Sequence, residues 1–503
     1  MLAIPATCAI GLLAFVPLVR QQPHLLRTFI ATASLLLVWA AVLFFSARRD
    51  NRTLTLDIAI RKHHWVQACA QGTVLLYWAW HVRFVWVFLP LVAAQVLFAF
   101  AFDSLLTWSR RSNWTLGFGP LPVILSINLF LFFKPEWFHW QFVMIALGFA
   151  AKALIHWNKE GRSAHIFNPS SFPLAVVSLV LLVTGSTDAT FGEAIAATQF
   201  YPPYIYLVIF LASLPGQLLF GVARVTMPAV VTIYLISLAF FQVTGTYLFY
   251  DTHIPIAIFL GMHLLLPDPS TSPRSEPGKI LFGVIYAVGT AALYVLLGAL
   301  GEPTFYDKLL PVPIMNLMVR FIDRLRVPAA FDLQRPGAGL ATRQRHIAYA
   351  GVWAVIFIAM SAVQGVGDRP AGQSLAFWLK TCDAGNARAC NYAGSMTTIY
   401  CDNGSGWACN EWAVRRRRAG LEAGTAFAHA CELGYAPACA NATRAGGNAS
   451  ALVQGRPLLA DLPIVLRGTK PPLVERDPAR LYAIACEQGW PGACTEWAGD
   501  GQT

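Results

Sequence analysis

Charged residues are scarce in this chain of 503 residues: Asp, Glu, Lys and Arg together make up 13% of it, whereas 56% of the residues are hydrophobic. The mean hydropathy is +0.52. With so few charged residues, the chain can be neither disordered nor a water-soluble enzyme over its whole length. Apolar runs long enough to cross a bilayer recur from residue 3 to about residue 364, which predicts an integral membrane protein.

Familiar catalytic motifs are missing as well. The chain has no GxSxG elbow of hydrolases, no P-loop of nucleotide-binding proteins, and neither the HExxH pattern nor the paired CxxC of zinc proteins. Lys and Arg exceed Asp and Glu by 11, yet the tail from residue 366 holds 13 basic and 12 acidic residues. The excess therefore lies in short loops between the apolar runs, without a basic, aromatic-rich face. This distribution argues against nucleic-acid binding.

Windows of about 17–25 apolar residues predict about thirteen transmembrane helices in a domain over residues 1–364. We expect an all-α fold, in which this polytopic helical bundle is followed by a linker at 365–379 and a disulfide-stapled domain of α-helical hairpin repeats at 380–503. The predicted spans are 3–19, 28–47, 64–81, 84–108, 114–133, 138–155, 171–185, 204–221, 226–243, 252–267, 280–300, 309–323 and 347–364.

The loops between these spans alternate in charge. Basic pairs such as Arg48 and Arg49 lie on one side, whereas the loops 186–203 and 244–251 contain no Lys or Arg. Because basic loops stay in the cytoplasm, residues 365–503 are expected on the outer side. The sequence thus predicts a multi-pass protein in the lipid bilayer of a bacterial inner (plasma) membrane, with a periplasmic C-terminal domain.

Eight of the ten cysteines lie in the tail, in four pairs that all read C-x-x-G-x-x-x-A-C. The pattern predicts that the first cysteine closes a helix, that the glycine takes the left-handed position after it, and that the second cysteine opens the next helix within disulfide reach. Zinc is the competing interpretation, but zinc sites favour shorter spacings and an outer compartment oxidises thiols. The predicted disulfides are Cys382–Cys390, Cys401–Cys409, Cys431–Cys439 and Cys486–Cys494.

These pairs resemble the cysteine-rich Sel1-like repeats of secreted bacterial proteins, most closely at Ala-Cys-Glu-x-Gly in residues 430–434 and 485–489. The first cysteines of successive pairs are 19, 30 and 55 residues apart. We therefore expect a truncated second hairpin and an insertion at 440–480. Solenoids of helical hairpins form extended surfaces that bind proteins, so the resemblance implies a periplasmic protein partner. A stable cap without a partner is the alternative.

Three stretches of the membrane region are too polar to face lipid. The first, at 152–172, ends in Phe-Asn-Pro-Ser-Ser-Phe; the second, at 268–273, reads Asp-Pro-Ser-Thr-Ser-Pro; the third, at 315–323, begins with Met-Asn. Polar groups at such depths usually face a partner, a cavity or a ligand, and Asn-Pro and Asp-Pro break helices so that freed backbone groups can hold an anion or a cofactor. The candidate binding residues are Lys152, Asn168, Asp268, Thr271 and Asn316.

The elements A-K, F-N-P-[small]-[small]-F, D-P-x-T-S-P…G-[KR]-x-x-[FY]-G and M-N-x-x-x-x-x-I-D follow one another in these stretches. In order and spacing they resemble the D-type membrane subunit of the Rnf electron-transport complex and its B-type counterpart in the sodium-pumping NADH:quinone reductase, over about residues 110–325. The resemblance implies a bundle of about ten helices that passes electrons across the membrane beside other membrane or periplasmic subunits. It also implies a non-covalent flavin within the bundle.

The same resemblance implies an FMN whose phosphate is esterified to a threonine of a [ST]-G-A-[ST] motif in an outer loop. The corresponding residues here are Thr187, Asp188, Ala189 and Thr190, so that Thr190 aligns with the acceptor. Asp188 replaces the glycine and adds a negative charge beside a phosphate, which is electrostatically adverse by roughly 1 kcal/mol at an exposed site. The acidic residue expected before the motif is also missing.

Haem is the weaker alternative cofactor. His81 and His139 lie near the outer ends of their predicted spans, and His64 and His156 lie near the inner ends, as in a pair of bis-histidine sites. No spacing pattern joins the four, and histidines are common at the ends of membrane helices.

Two functions fit these residues. The leading expectation is a flavin-dependent electron-transport subunit whose repeats dock a periplasmic partner. The alternative is a non-redox membrane anchor or assembly scaffold, with the repeats as its working surface. The altered loop at 187–190 favours the scaffold, whereas the retained polar residues favour the redox function, because polar groups without a ligand cost stability inside a bilayer.

Overall fold

The structure, a computed structural model, describes residues 3–159, 162–325, 342–363, 365–368, 370–444, 451–466, 477–490 and 492–495. This part of the chain is mostly helical. It divides into two compact units: unit 1 comprises Met1–Leu235 and Ile254–Val363, and unit 2 comprises Ile236–His253 and Gln364–Thr503.

The first fifteen helices run to residue 362. Among the described residues, five of them are long and apolar enough, by length and composition, to cross a membrane: Pro23–Arg49, Arg83–Arg110, Ala223–Thr244, Glu276–Leu300 and Thr342–Ala362. This agrees with the expected membrane protein. The helices are α1 (Ala3–Leu13), α2 (Pro17–Arg20), α3 (Pro23–Arg49), α4 (Lys62–His81), α5 (Arg83–Arg110), α6 (Pro120–Asn128), α7 (His139–Leu154), α8 (Ser171–Thr184), α9 (Gly192–Thr198), α10 (Ile205–Phe220), α11 (Ala223–Thr244), α12 (Ile256–Leu260), α13 (Glu276–Leu300), α14 (Pro311–Arg324) and α15 (Thr342–Ala362).

The long helices carry large apolar side chains on their outer surfaces. On α3, Leu35, Val38 and Phe45 are 71%, 61% and 67% exposed. A helix whose exposed face is as apolar as its buried face matches a lipid environment better than water.

The prediction of one continuous span at 114–133 is wrong. The chain forms strand β2 (Asn113–Leu116) and then the short helix α6. A buried amide cluster explains the break: Asn128 Nδ2 and Gln141 Nε2 donate to Gln95 Oε1 at 2.8 and 3.0 Å, and Phe133 N donates to Gln141 Oε1 at 3.0 Å. Because these side chains satisfy the polar groups, the chain can leave the helix inside the unit.

Short elements interrupt the otherwise helical fold. β1 (Thr55–Ile58) pairs with β2 in parallel, and β3 (His156–Lys159) pairs with β4 (Arg162–His165) in antiparallel. The predicted span at 252–267 consists of α12 and a π-helical turn. The π-helical turn covers Gly261–Leu265, and the described residues also contain the 3-10 turns Pro135–Trp137, Thr187–Ala189, Thr304–Lys308 and Ala371–Gln373.

Unit 2 has a hydrophobic core of its own. Trp378, Tyr400 and Trp407 are at most 3% exposed within it. The predicted linker at 365–379 contains a 3-10 turn and the beginning of helix α16. The helices of this unit are α16 (Leu375–Asp383), α17 (Ala387–Asp402), α18 (Gly406–Arg418), α19 (Gly424–Glu432), α20 (Ala436–Thr443), α21 (Leu462–Val465) and α22 (Pro478–Glu487).

The second hairpin of the repeats is complete, so the expected truncation is wrong. α17 carries Cys390 in its first turn and Cys401 in its last turn, and it packs against both α16 and α18. One helix thus serves two successive hairpins, which explains the short spacing of 19 residues. Of the expected insertion at 440–480, residues 445–450 and 467–476 lie outside the described residues.

The segment Ile236–His253 belongs to unit 2 although it lies far from the tail in sequence. Asn386 Nδ2 donates to the carbonyl of Thr244 at 2.7 Å, and Arg388 Nη2 donates to the carbonyl of Leu248 at 2.8 Å. The Tyr250 ring lies 4.6 Å from the Tyr392 ring. The first repeat helices therefore fold around this segment.

Candidate functional site

Two turns with the same hydrogen-bond pattern place polar residues inside unit 1. Asn168 Oδ1 accepts hydrogen bonds from the amide and the hydroxyl of Ser170 at 2.9 and 2.7 Å. Asp268 Oδ1 accepts from the amide and the hydroxyl of Ser270 at 3.1 and 2.7 Å. A proline follows Asn168 and Asp268 in the sequence and fixes the backbone at the turn. Each side chain thereby satisfies backbone donors that the helix break leaves free.

The two turns contact each other. Asn168 Nδ2 donates to Asp268 Oδ2 at 3.3 Å, and Thr271 Oγ1 donates to the same oxygen at 3.2 Å. Asn316, on α14, completes the cluster: its Oδ1 accepts from Asn168 N at 3.1 Å, and its Nδ2 donates to the carbonyl of Thr271 at 3.3 Å. Four of the predicted binding residues, up to 148 positions apart, thus form one network. We call Asn168, Asp268, Thr271 and Asn316 the Asx network.

The Asx network is buried, and its members bind one another and the serines of their own turns. Asn168, Asp268, Thr271 and Asn316 are 7%, 9%, 4% and 1% exposed. Polar groups at this depth need hydrogen-bond partners, and each carboxylate oxygen of Asp268 accepts two bonds. The network therefore holds together the two turns that interrupt the helices and helix α14.

Lys152, the fifth predicted residue, is half-buried on α7, and its Nζ lies 5.8 Å from the centre of the Phe149 ring. Two histidines that sequence reasoning missed, His63 and His165, interact electrostatically with both Lys152 and Asp268. Burial lowers the pKa of both imidazoles, and the negative charge of Asp268 opposes that shift. The only sequence signal for this grouping was the proximity of His165 to Asn168.

The loop that contains Thr190, the expected flavin acceptor, is held by hydrogen bonds to neighbouring residues. Thr190 is 7% exposed, and its hydroxyl donates to the carbonyl of Thr187 at 3.1 Å and accepts from Gly192 N at 3.4 Å. The backbone around it is paired as well, since Lys134 N donates to Ala189 O at 2.9 Å. Thr187 itself is half-buried and begins a 3-10 turn.

These residues do not fit a flavin in the way the resemblance implies. A phosphate ester at Thr190 would remove the proton that its buried hydroxyl donates to Thr187 O, and it would place the phosphate beside the carboxylate of Asp188. A non-covalent flavin between the two turns would have to replace bonds that the Asx network already makes. We therefore derive no electron-transfer step through these residues.

The four histidines considered for haem have different ring and backbone partners. The His81 ring lies 5.0 Å from Tyr77, and the His139 ring lies 5.4 Å from Trp140. The His64 ring lies 4.1 Å from His63, whereas His156 pairs through the backbone with the opposite strand of the β3–β4 hairpin.

The eight tail cysteines are paired as predicted, with Cα–Cα distances of 4.5 to 4.7 Å. The glycine of each repeat has the expected left-handed backbone, with φ of 90°, 92°, 86° and 79° at Gly385, Gly404, Gly434 and Gly489. His429 lies close to the sulfurs of Cys401 and Cys409. Because those sulfurs form a disulfide, they are not available as thiolate ligands to a metal.

Removal of one tail disulfide will destabilise unit 2. For the double variant Cys401→Ser/Cys409→Ser we expect a loss of roughly 2–3 kcal/mol in the chain-entropy model, because the bridge closes a loop of about nine residues. Limited proteolysis of the full chain under non-reducing conditions measures it as faster cleavage within 380–490. Cys8→Ser is the matched control, since Cys8 is free and exposed. Free thiols at 401 and 409 in the unreduced parent protein would contradict the assignment.

Comparisons of the chain with protein-family models, with curated proteins and with solved structures find no match.

Proposed function

We propose that this chain is a non-redox membrane anchor or assembly scaffold, and that its Sel1-like repeats bind a periplasmic protein. The observation that carries the proposal is the state of the expected flavin threonine: the Thr190 hydroxyl is buried and hydrogen-bonded within its own loop. The Asx network supports it, since its polar groups bind one another. On this view the polar residues that resemble those of the Rnf complex and the sodium-pumping reductase have become structural.

The repeats supply the surface for a partner. Unit 2 has its own core and four disulfides, so it can present a rigid surface in an oxidising compartment. Leu421, Leu433 and Leu458 are 50%, 40% and 48% exposed on it. Stacked helical hairpins form the extended concave surfaces with which solenoid proteins bind their partners. The basic run at 415–418 is less available, because Arg416 and Arg418 bond to Glu422 O and Gln454 Oε1 at 3.0 and 2.6 Å.

The proposal includes a location. We place the chain as a multi-pass protein in a bacterial inner membrane with residues 365–503 in the periplasm, on the strength of the alternating loop charges and the disulfides. A C-terminal fusion to alkaline phosphatase, which is active only outside the cytoplasm, tests it. An inactive fusion of full length would place the tail inside.

A flavin-dependent electron-transport subunit is the second candidate. It is favoured by the meeting of Asn168, Asp268 and Asn316 in one buried network, as expected of a retained cofactor region. In this function the repeats would dock a periplasmic redox partner.

An absorption and fluorescence spectrum of the purified full-length protein, before and after acid denaturation, separates the two functions. We expect no flavin bands in either state and no yellow band under ultraviolet light after denaturing electrophoresis. A flavin that stays with the denatured chain and disappears in Thr190→Val would refute the scaffold and establish covalent attachment. A flavin that is released by acid would also refute it, in favour of non-covalent binding.

Genetic replacement in the host gives an independent test. On the scaffold function, deletion of residues 380–495 abolishes the chain's activity, whereas Thr190→Val leaves it unchanged because the hydroxyl has no chemical role. If Thr190→Val abolishes activity while the protein level is unchanged, the redox function stands instead.

A further inference from the structure

Residues 452–455, Leu-Val-Gln-Gly, cross the surface of the repeats in unit 2 without secondary structure of their own. Their hydrogen bonds go to side chains of α18 and α20. In peptide recognition, bonds to the main chain give affinity and pockets for side chains give specificity. The contacts of this segment, which we call the cis segment, divide in the same way.

The backbone of Val453 is bound at both of its polar groups. Val453 N donates to Asn441 Oδ1 at 2.7 Å, and Asn441 Nδ2 donates back to Val453 O at 2.7 Å. Asn410 Nδ2 donates to the same carbonyl at 3.2 Å. Both asparagines are fully buried. Because these bonds involve only the main chain of the cis segment, they favour an extended peptide of any sequence.

The side chain of Gln454 is bound at both ends of its amide. Its Nε2 donates to Glu411 Oε2 at 2.7 Å, and its Oε1 accepts from Arg418 Nη2 at 2.6 Å. A carboxylate beside a guanidinium matches a carboxamide, which has a donor end and an acceptor end. An acidic side chain at this position would meet Glu411, and a basic one would meet Arg418, so the pair selects a neutral amide.

Glu411 is 5% exposed, and its Oε1 has no hydrogen-bond partner among the described residues. Burial raises the pKa of its carboxyl, and the bond from Gln454 opposes that shift. A buried carboxylate needs a hydrogen-bond donor. The repeats therefore hold a buried acceptor whose donor comes from the cis segment.

The residues on either side of this amide contribute shape. Leu452 packs against the apolar cluster around Phe427. An added Cβ at Gly455 would lie 2.5 Å from Oη of the buried Tyr435, and Trp407 Nε1 donates to the carbonyl of Gly455 at 2.8 Å. The contacts together select the pattern Leu-x-Gln-Gly.

We propose that the face formed by α18 and α20 recognises an extended peptide of the form Leu-x-Gln-Gly, and that the cis segment occupies this site within the chain. The partner is a protein that exposes a segment of the same chemistry and displaces the cis segment. This inference rests on the proposed function of the repeats and names the chemistry of their partner. The alternative is that the cis segment is a permanent part of the repeat fold.

Hydrogen exchange of the purified full-length protein tests the displacement. The probe is a synthetic peptide with the sequence of residues 451–457, Ala-Leu-Val-Gln-Gly-Arg-Pro. At about 10 mM it exceeds the effective concentration of a tethered segment, which is on the order of millimolar. We expect exchange at the chain's own residues 452–455 to become about tenfold faster, because the peptide takes over their hydrogen bonds. Unchanged exchange would overturn the proposal and make the cis segment a permanent part of the fold.

A second peptide, with leucine in place of the glutamine, is the matched control. It has nearly the same size but cannot bond to Glu411 or Arg418, so we expect it to displace the cis segment about tenfold less effectively. If both peptides act equally, the site does not recognise the carboxamide and the proposed pattern is wrong.

Variants of the full chain give a second measurement. Gln454→Leu weakens the cis segment but leaves the site intact, so a fluorescent form of the first peptide should bind about tenfold more tightly than to the parent chain. Adding Glu411→Leu should abolish this gain. Gln488→Leu is the control, since Gln488 donates instead to the carbonyl of Leu466, and it should bind the peptide as the parent does. Equal binding to Gln454→Leu and the parent would contradict the proposal, and if Gln454→Leu does not fold, the exchange experiment on the parent chain decides.

This proposal and the scaffold function fail in different ways. If deletion of residues 380–495 abolishes activity in the host but the peptide displaces nothing, the repeats bind their partner elsewhere and only the recognition site is wrong. If the peptide displaces the cis segment but the deletion leaves activity unchanged, the site is correct and the scaffold function fails.

Discussion

Replacing Asp268 with alanine is expected to destabilise unit 1 by roughly 3–5 kcal/mol. The carboxylate accepts four hydrogen bonds, from Asn168, from Thr271 and from two atoms of Ser270. Its removal leaves several buried donors unpaired, and each unpaired donor costs about 1–3 kcal/mol. The measurement is the fraction of detergent-purified protein that remains monodisperse after heating, compared with the parent chain.

Asp268→Asn separates shape from hydrogen bonding. It keeps the side-chain volume but replaces one carboxylate oxygen, which accepts two hydrogen bonds, with an amide nitrogen that can accept none. We therefore expect a large part of the loss in stability to remain. Asp50→Ala is the control, since Asp50 is exposed at the end of α3. Parent-like stability of both Asp268 variants would contradict a structural role for the Asx network.

The sequence singled out Asn168, Asp268 and Asn316 as polar residues of the membrane region that need a partner, a cavity or a ligand. It also predicted the tail disulfides, since one local pattern sets the helix end, the left-handed glycine and the next helix start. Both predictions rest on rules that operate within a few residues or on a strong energetic penalty. Neither required knowledge of the overall packing.

Other features could not be read from the sequence because they depend on contacts distant along the chain. The break after α6 needs Gln95 and Gln141 from two other helices, and each looks like an ordinary polar residue within an apolar run. The inclusion of residues 236–253 in unit 2 depends on donors at Asn386 and Arg388 that reach backbone carbonyls. Because every residue has a backbone carbonyl, the sequence does not reveal which of these carbonyls accepts a hydrogen bond.

The residues of the Asx network are hydrogen-bonded to one another. A resemblance of motifs predicted that these residues hold a flavin, whereas their geometry has them holding one another. The same residue types serve both roles, because an amide or a carboxylate that closes a helix break also suits a bound ligand. Only the partners of each atom distinguish the two.

Gly283→Ala on α13 is expected to destabilise unit 1 by about 3 kcal/mol or more. An added Cβ would fall inside the contact distance of the Val225 carbonyl oxygen and 3.1 Å from the amide nitrogen of Ala229. Both atoms belong to the backbone of α11, so no side chain can move aside and the two helices must separate. Overpacking of a well-packed interface typically costs about 1–3 kcal/mol, and contact with backbone lies at the upper end.

Gly289→Ala on the same helix is the matched control. There an added Cβ would lie 3.8 Å from Pro311 Cβ, an ordinary contact, and alanine favours a helix over glycine by about 1 kcal/mol. We therefore expect Gly289→Ala to be neutral or stabilising in the heating assay in which Gly283→Ala loses most of its folded protein. If the two variants behave alike, the close approach of α11 and α13 at Gly283 is wrong, since helix propensity affects both positions equally.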